Sequence, residues 1–174
     1  MPIYLLGNFA MQTTAAPVPV ATGTAIKTML QFKASATLVA RVMEWGYSFD
    51  SGTAALSGKI ELIESDVAAT VTALAAADIT KIDGDALMGG DPTTNLIQVG
   101  TTATGFTSTA EGTTTAIRNL DGPQFETTLT SSVVKFSKQF PLDQEPIIQV
   151  GKFARIRVTF STTTNMYCWL KIRV

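Results

Sequence analysis

Alternation of apolar and polar side chains over residues 153–174 constrains the fold more than any other feature of this sequence. Every even-numbered residue of 153–160 is apolar, and Met166, Cys168, Leu170, Ile172 and Val174 continue the pattern at the end of the chain. A period of two is typical of a half-buried strand. Residues 161–165 lie between the two segments, so the pattern predicts an antiparallel hairpin with one buried face.

Other segments with the same period predict further strands, over 39–49, 59–64, 96–99, 115–120 and 133–140, with a hairpin near 101–115. Residues 66–77 fit either a short helix or a strand, and both alternatives stay open. Residues 83–95, rich in Gly and Asp, predict a loop. Short strands with little helix predict an all-β protein, an antiparallel β-sandwich of the jelly-roll type, over residues 25–174.

Residues 1–24 differ from the rest because they carry no charged side chain. Tyr4, Leu5 and Phe9 make the segment apolar, and Pro17 and Pro19 hold its end extended and remove backbone donors. We therefore expect an extended N-terminal arm over 1–24, which lies either on its own domain or on a neighbouring subunit.

The absence of histidine and the presence of one cysteine exclude imidazole-based catalysis, internal disulfides and thiolate zinc sites. The carboxylates around Asp83 and Asp85 do not follow the spacing of a calcium loop, so they predict a solvated turn. Ser132 and Lys135 match the SxxK pattern, but on a strand they face opposite sides. We expect no catalytic, cofactor-binding or metal-ligating residues, and thus a protein that is not an enzyme.

The aromatic residues Trp45, Tyr47 and Phe49 share one parity of a predicted strand. Such a stripe fits the core of a sandwich better than a platform on which sugars stack, since large rings bury the most apolar area. Cys168 has the parity of Leu170 and Ile172, so it is expected to be a buried, reduced thiol.

The charges are divided along the chain. Residues 44–91 contain nine acidic side chains and two basic ones, whereas residues 135–174 contain seven basic side chains and two acidic ones. The two segments either pair within one fold or guide contacts between copies. On the predicted last hairpin, four cations lie close together on the outer face and need an acidic segment or an acidic partner: Arg155, Arg157, Lys171 and Arg173.

No feature marks the chain for export, membrane insertion or nucleic-acid binding. The N-terminus lacks a signal peptide, no apolar stretch is long enough to span a membrane, and basic clusters with interleaved aromatic residues are absent from the sequence. We therefore expect neither a membrane nor a nucleic acid as a partner, and synthesis in a reducing cytosol.

Several segments of the sequence resemble small proteins encoded in the genomes of tailed bacteriophages and prophages. They are QTTAAPVPVATGTAIKTMLQF (12–32), EWGYSFD (44–50), KIELIESDVAATVTA (59–73), FPLDQEP (140–146), KFARIRVTF (152–160) and NMYCWLKIRV (165–174). The resemblance implies a virion structural protein of the capsid decoration (cement) type. Such proteins often adopt jelly-roll or related β folds, assemble as dimers or trimers and clamp neighbouring major capsid subunits.

The resemblance leads us to expect a protein that is assembled in the host cytoplasm and lies on the outer capsid surface of the virion. Its expected partners are the major capsid protein and itself, as a homodimer or homotrimer. The contact residues expected from the arm and the basic strand face are Tyr4, Leu5, Phe9, Arg155 and Arg157. The alternative is a carbohydrate-binding or adhesion module with an exposed aromatic groove, displayed on a virion or cell surface. A third possibility is a hydrolase with two carboxyl groups about 5–9.5 Å apart.

Overall fold

The structure is a computed structural model that describes residues 2–10, 16–50, 58–83, 96–113, 115–126 and 135–174. Most of the expected 83–95 loop, and Ser132 of the SxxK pattern, lie outside these ranges. In chain order the strands are β1 (Ile3–Gly7), β2 (Val20–Ala21), β3 (Lys27–Ala34), β4 (Ala40–Phe49), β5 (Gly58–Ser65), β6 (Thr70–Ala73), β7 (Thr80–Lys81), β8 (Ile97–Gln98), β9 (Gly105–Ala110), β10 (Arg118–Glu126), β11 (Lys135–Gln139), β12 (Ile147–Ile148), β13 (Phe153–Phe160) and β14 (Asn165–Arg173).

These strands form two antiparallel sheets that pack together. The first sheet has the order β11-β4-β14-β1-β7, with β12 beside β4 and β2 beside β14. The second sheet has the order β10-β5-β13-β3-β9-β6, with β8 beside β3. The prediction of an all-β antiparallel sandwich is confirmed, and the jelly-roll arrangement stays a prediction.

One hydrophobic core lies between the two sheets and takes side chains from both. Along β14 buried residues alternate strictly with partly exposed ones, as the sequence predicts. The largest apolar side chains that are fully buried include Trp45, Tyr4, Tyr47, Phe32 and Phe160. Burial of this apolar area is the main favourable term for the fold.

The side chains of β4 that face the core change parity midway along the strand. Val42 is buried near its start, whereas Trp45 and the odd-numbered residues after it are buried near its end. Two consecutive residues of β14 pair with Glu44 and Val42, so Met43 is the extra residue of a β-bulge. The single period of two predicted over 39–49 is therefore correct only from Trp45 onward.

The predicted hairpin of 153–160 and 166–174 is wrong. β13 pairs with β3 and β5 in the second sheet, whereas β14 pairs with β1 and β4 in the first. The short connection at 161–164 crosses from one sheet to the other. In a hairpin and in this arch the even-numbered side chains are equally buried, so the alternation alone does not distinguish the two arrangements.

The N-terminal segment contributes a strand to the first sheet. β1 lies between β14 and β7, and Tyr4 and Leu6 are fully buried. Asn8 continues the ladder with its side chain, since Nδ2 donates to the Met166 carbonyl at 3.0 Å and Oδ1 accepts from the Cys168 amide at 3.0 Å. Of the two alternatives for the expected arm, residues 3–7 therefore follow the first and lie on their own domain.

The ambiguity over residues 66–77 is resolved in favour of a strand, with β6 at Thr70–Ala73 followed by one 3-10 turn at Ala76–Asp78. The Asp78 carboxylate accepts a hydrogen bond from the Ala75 amide at 2.8 Å, which closes this turn. β6 pairs with β9 at the edge of the second sheet.

Candidate functional site

The structure separates the five expected contact residues into two groups. Tyr4, Arg155 and Arg157 are buried in the single chain, so they are not available as surface contacts. Leu5 is 36% exposed and Phe9 is partly exposed, both on the outer face of the first sheet. The expectation of an exposed basic face at Arg155 and Arg157 is therefore wrong.

Arg155 is held by groups of its own chain. Its Nε donates to Thr28 Oγ1 at 2.9 Å, Nη1 donates to the Val67 carbonyl at 3.3 Å, and Nη2 forms an ion pair with Glu111. Burial lowers the pKa of Arg155, and the carboxylate of Glu111 opposes that effect. The acidic group predicted beside Arg155 is thus Glu111 of the same chain.

Arg157 is neutralised in the same way. Its Nε donates to Glu61 Oε1 at 2.6 Å, and Lys59 lies 3.2 Å from the other oxygen of that carboxylate. This pair joins the acidic segment of the chain to its basic segment within one fold. On the same sheet the Ala69 amide donates to Gln31 Oε1 at 2.9 Å, so the chain also covers the outer face of the second sheet at this point.

The aromatic stripe on β4 belongs to the core. Trp45 and Tyr47 are buried, and the indole Nε1 of Trp45 donates to Asp121 Oδ2 at 2.7 Å. The interpretation of this stripe as core is confirmed, and a sugar platform at Trp45 and Tyr47 is excluded by their burial. Cys168 is also buried, as predicted, and its burial raises the pKa of the thiol well above the ordinary value.

A groove crosses the outer face of the first sheet, and two buried glycines lie beneath the aromatic rings that line it. Gly46 and Gly7 both pair with Trp169, one from each neighbouring strand. A Cβ at Gly46 would lie 2.2 Å from the Trp169 ring, and a Cβ at Gly7 would lie 2.7 Å from the Phe9 ring. Each glycine therefore makes room for one aromatic ring to lie against the sheet.

The groove encloses about 640 Å³ and has a charged rim around apolar walls. Glu44 Oε1 accepts from Trp169 Nε1 at 3.2 Å and from Ser137 Oγ at 2.9 Å, which fixes both the carboxylate and the indole. The ammonium of Lys135 lies 5.8 Å from the centroid of the Trp169 ring. The residues that line this sheet groove are Leu5, Phe9, Glu44, Ser48, Ile82, Lys135, Trp169 and Lys171.

Trp169 was not predicted as a site residue, although the alternation along the last strand places its side chain on the outer face. The signal that identifies it is the pair of glycines opposite it, Gly46 and Gly7. Their positions become neighbours only when β4, β14 and β1 are known to be adjacent. No local pattern reveals that order.

A second surface, the apolar tip, lies at the end of the sandwich where β3 ends and β4 begins. Loops from both sheets meet there: the Gly151 amide donates to the Ser35 carbonyl at 2.8 Å and the Ile117 amide to the Glu64 carbonyl at 2.8 Å. Five of the nine large apolar side chains that the described residues expose are at this end. They are Leu38, Val39, Ile117, Leu142 and Val150.

The carboxylates of Glu61, Glu64 and Glu145, which a hydrolase with two carboxyl groups could use, are engaged in structural contacts. Glu61 binds Arg157, Glu64 pairs with Arg118, and Glu145 accepts from the amide of Asp143 at 3.1 Å. Within the described ranges no group of three His, Cys, Asp or Glu side chains is placed to hold a metal ion.

The fold places the chain among all-β sandwich proteins, and comparison with protein families, curated proteins and solved structures finds no match for it. Among the residues that the structure describes, no helix has the length and apolar character needed to cross a membrane.

Proposed function

We propose that the protein is a non-enzymatic structural protein of a virion, a capsid decoration protein that binds the major capsid protein lattice and stabilises the head. The observation that carries the proposal is the apolar tip. Five of the nine large apolar side chains that the described residues expose lie at this one end, and clustering of exposed apolar side chains is typical of interaction sites. The resemblance of the sequence segments to small proteins of tailed phages supports the capsid as the partner.

In this proposal the tip docks on the outer surface of the capsid, and the mechanism is mechanical. The binding free energy of each contact is small, because five side chains bury little area and apolar burial contributes about 25 cal/mol per Å². A homodimer or homotrimer engages several capsid subunits at once, so avidity raises the overall affinity without any tight single interface. Bridging of neighbouring subunits resists the pressure of the packaged DNA.

Binding of the recombinant protein to particles of the encoding phage that lack it tests the proposal. The tip variants are Leu142→Asp and Val150→Asp, since these side chains are 70% and 44% exposed. Matched controls near the other end of the sandwich are Val18→Asp and Ile26→Asp, which are 72% and 39% exposed. We expect the tip variants to bind about tenfold or more weakly, equivalent to about 1.4 kcal/mol, and the controls to bind normally.

Two results would overturn the proposal. One is failure of the wild-type protein to bind particles or to co-purify with them in a fixed ratio to the major capsid protein. The other is equal binding by tip variants and controls. The same assay tests the expectation that Leu5 and Phe9 contact the capsid: Phe9→Ala weakens binding if the sheet groove, and not the tip, faces the capsid.

A further inference from the structure

The sheet groove has no role in docking through the tip, and its chemistry points to a ligand of another class. We propose that it binds an acidic glycan, a sugar chain that carries carboxylate groups such as those of uronic acids. The proposal stands apart from capsid binding and uses residues of the outer face of the first sheet.

The aromatic rings of the groove suit the faces of sugar rings. Trp169 covers Gly46 on β4, and Phe9 covers Gly7 on β1, while Tyr167 meets Phe9 edge to face with 6.0 Å between centroids. β4 and β1 are separated by one strand, so the two glycines lie about 10 Å apart. That separation is about the length of two linked sugar rings, whose flat C–H faces pack on aromatic surfaces.

The charges of the groove favour an anion. Lys135 and Lys171 have no carboxylate within ion-pair distance among the residues that the structure describes. The carboxylate of Glu44, which lies opposite Lys171 in the ladder, already accepts from Trp169 and Ser137. The carboxylate of Asp78, in the adjoining pocket, accepts from the Ala75 amide. Two lysines that line a groove with aromatic walls match a ligand that has both ring faces and carboxylates, because charge-assisted hydrogen bonds are stronger than neutral ones.

The backbone beneath the groove makes a peptide ligand less suitable. β4 pairs with β14 and with β11, and β14 pairs with β4 and with β1, so both strands have neighbours on each side. An extended peptide gains affinity by adding a strand at a free sheet edge, and these interior strands offer none. Over these interior strands recognition comes from side chains, which favours a ligand that stacks and accepts hydrogen bonds.

Titration calorimetry with an oligogalacturonate as the probe tests the proposal. Neutral maltooligosaccharides of equal length test the need for carboxylates, and a poly-glutamate peptide tests whether negative charge alone is enough. The main variant is the double substitution Lys135→Gln/Lys171→Gln, whose side chains lie at the rim. Lys33→Gln is the matched control, since its ammonium lies 5.5 Å from the centroid of the Phe153 ring in the second sheet.

We expect the oligogalacturonate to bind, the lysine pair variant to bind about tenfold or more weakly, and the control to bind as the wild type. Binding should weaken as salt is raised, because the ammonium groups are near the surface. Trp169→Ala should also weaken binding, and the lysine pair variant keeps the test decisive if Trp169→Ala is misfolded. The neutral oligosaccharide should bind more weakly than the acidic one.

Three outcomes overturn the proposal: no binding of the oligogalacturonate, equal binding of poly-glutamate, or equal loss in the Lys33→Gln control. If particle binding falls in the lysine pair variant while the oligogalacturonate does not bind, the groove is a protein contact. We expect the tip variants to lose particle binding and to keep oligogalacturonate binding. The capsid proposal and the glycan proposal can therefore fail independently of each other.

Discussion

Replacement of Arg155 by Met tests the most unexpected feature of the fold, a guanidinium that the sequence placed on the surface and the structure buries. Met conserves most of the side-chain volume, so the substitution removes charge and hydrogen bonds without opening a large cavity. Three groups each lose one of their partners: Glu111, Thr28 Oγ1 and the Val67 carbonyl.

The expected loss in the free energy of unfolding depends on the hydrogen bonds that Glu111 keeps after the substitution. Removal of one partner of a buried ion pair costs about 3–5 kcal/mol. The side chain of Glu111 is 15% exposed and still accepts from the Thr28 amide at 2.5 Å and from Thr28 Oγ1 at 2.7 Å. These contacts leave the carboxylate partly satisfied, so we expect a loss near the lower limit, about 3 kcal/mol.

Urea unfolding followed by circular dichroism measures the effect. A loss of about 3 kcal/mol lowers the midpoint by about 1–2 M urea at the denaturant dependence usual for domains. Glu111→Gln in the Arg155→Met background removes the unpaired charge, so it should cost less there than in the wild type. The double-mutant cycle should give a coupling energy of about 1–3 kcal/mol. Lys138→Met is the comparison, since Lys138 is exposed and its partner Asp121, which is 10% exposed, keeps the hydrogen bond from Trp45; we expect a smaller loss there, about 1 kcal/mol.

A loss below about 1 kcal/mol for Arg155→Met, equal to that of Lys138→Met, would refute the reasoning. It would mean that water solvates the guanidinium and that the chain does not neutralise it. In that case the basic face of β13 would again be a candidate for contact with an acidic partner.

Three further predictions concern other parts of the core and the groove. Trp45→Phe keeps an aromatic ring but removes the hydrogen bond to Asp121 and part of the buried ring volume, so urea unfolding should show a loss of about 2–4 kcal/mol. Gly46→Ala places a Cβ 2.2 Å from the Trp169 ring, so it should shift the indole fluorescence and destabilise the fold by about 1–3 kcal/mol. Because burial raises the pKa of the Cys168 thiol, the unfolded chain ionises first as the pH rises. The free energy of unfolding should therefore fall above about pH 8.5, by at most about 1.4 kcal/mol per pH unit, relative to Cys168→Ala.

The period of the strands was predictable because it is a local property. Burial of alternate residues along β14 follows directly from the pleat of a strand. The parity of β4 was not predictable, since Met43 bulges only against a partner strand that is more than 100 residues away in the chain. The strands that pair with β13 were not predictable either, because a hairpin within one sheet and a connection between two sheets bury the same side chains.

The surface exposure of the predicted contact residues followed from the sequence only where the composition of a segment decides it. Leu5 and Phe9 were chosen from an apolar, uncharged segment and do lie at the surface, but the same rule chose Tyr4, which β1 turns into the core. Arg155 and Arg157 were assigned to the outer face because cations usually avoid burial. That rule fails where carboxylates from distant segments, Glu111 and Glu61, are brought onto the same face by the fold.

The outer faces of the two sheets differ in how their cations are neutralised, and this difference is the reason why we propose a ligand site on the first sheet. On the second sheet the chain covers Arg155 and Arg157 and supplies a carboxylate to each, so the charges are used in holding the fold together. On the first sheet Lys135 and Lys171 line the groove with Trp169, and among the described residues neither lysine has a carboxylate within ion-pair distance. Gly46 lets the Trp169 ring lie against this sheet beside them. The proposed glycan site is therefore placed on the first sheet, where the chain supplies aromatic rings and two cations without such an ion pair.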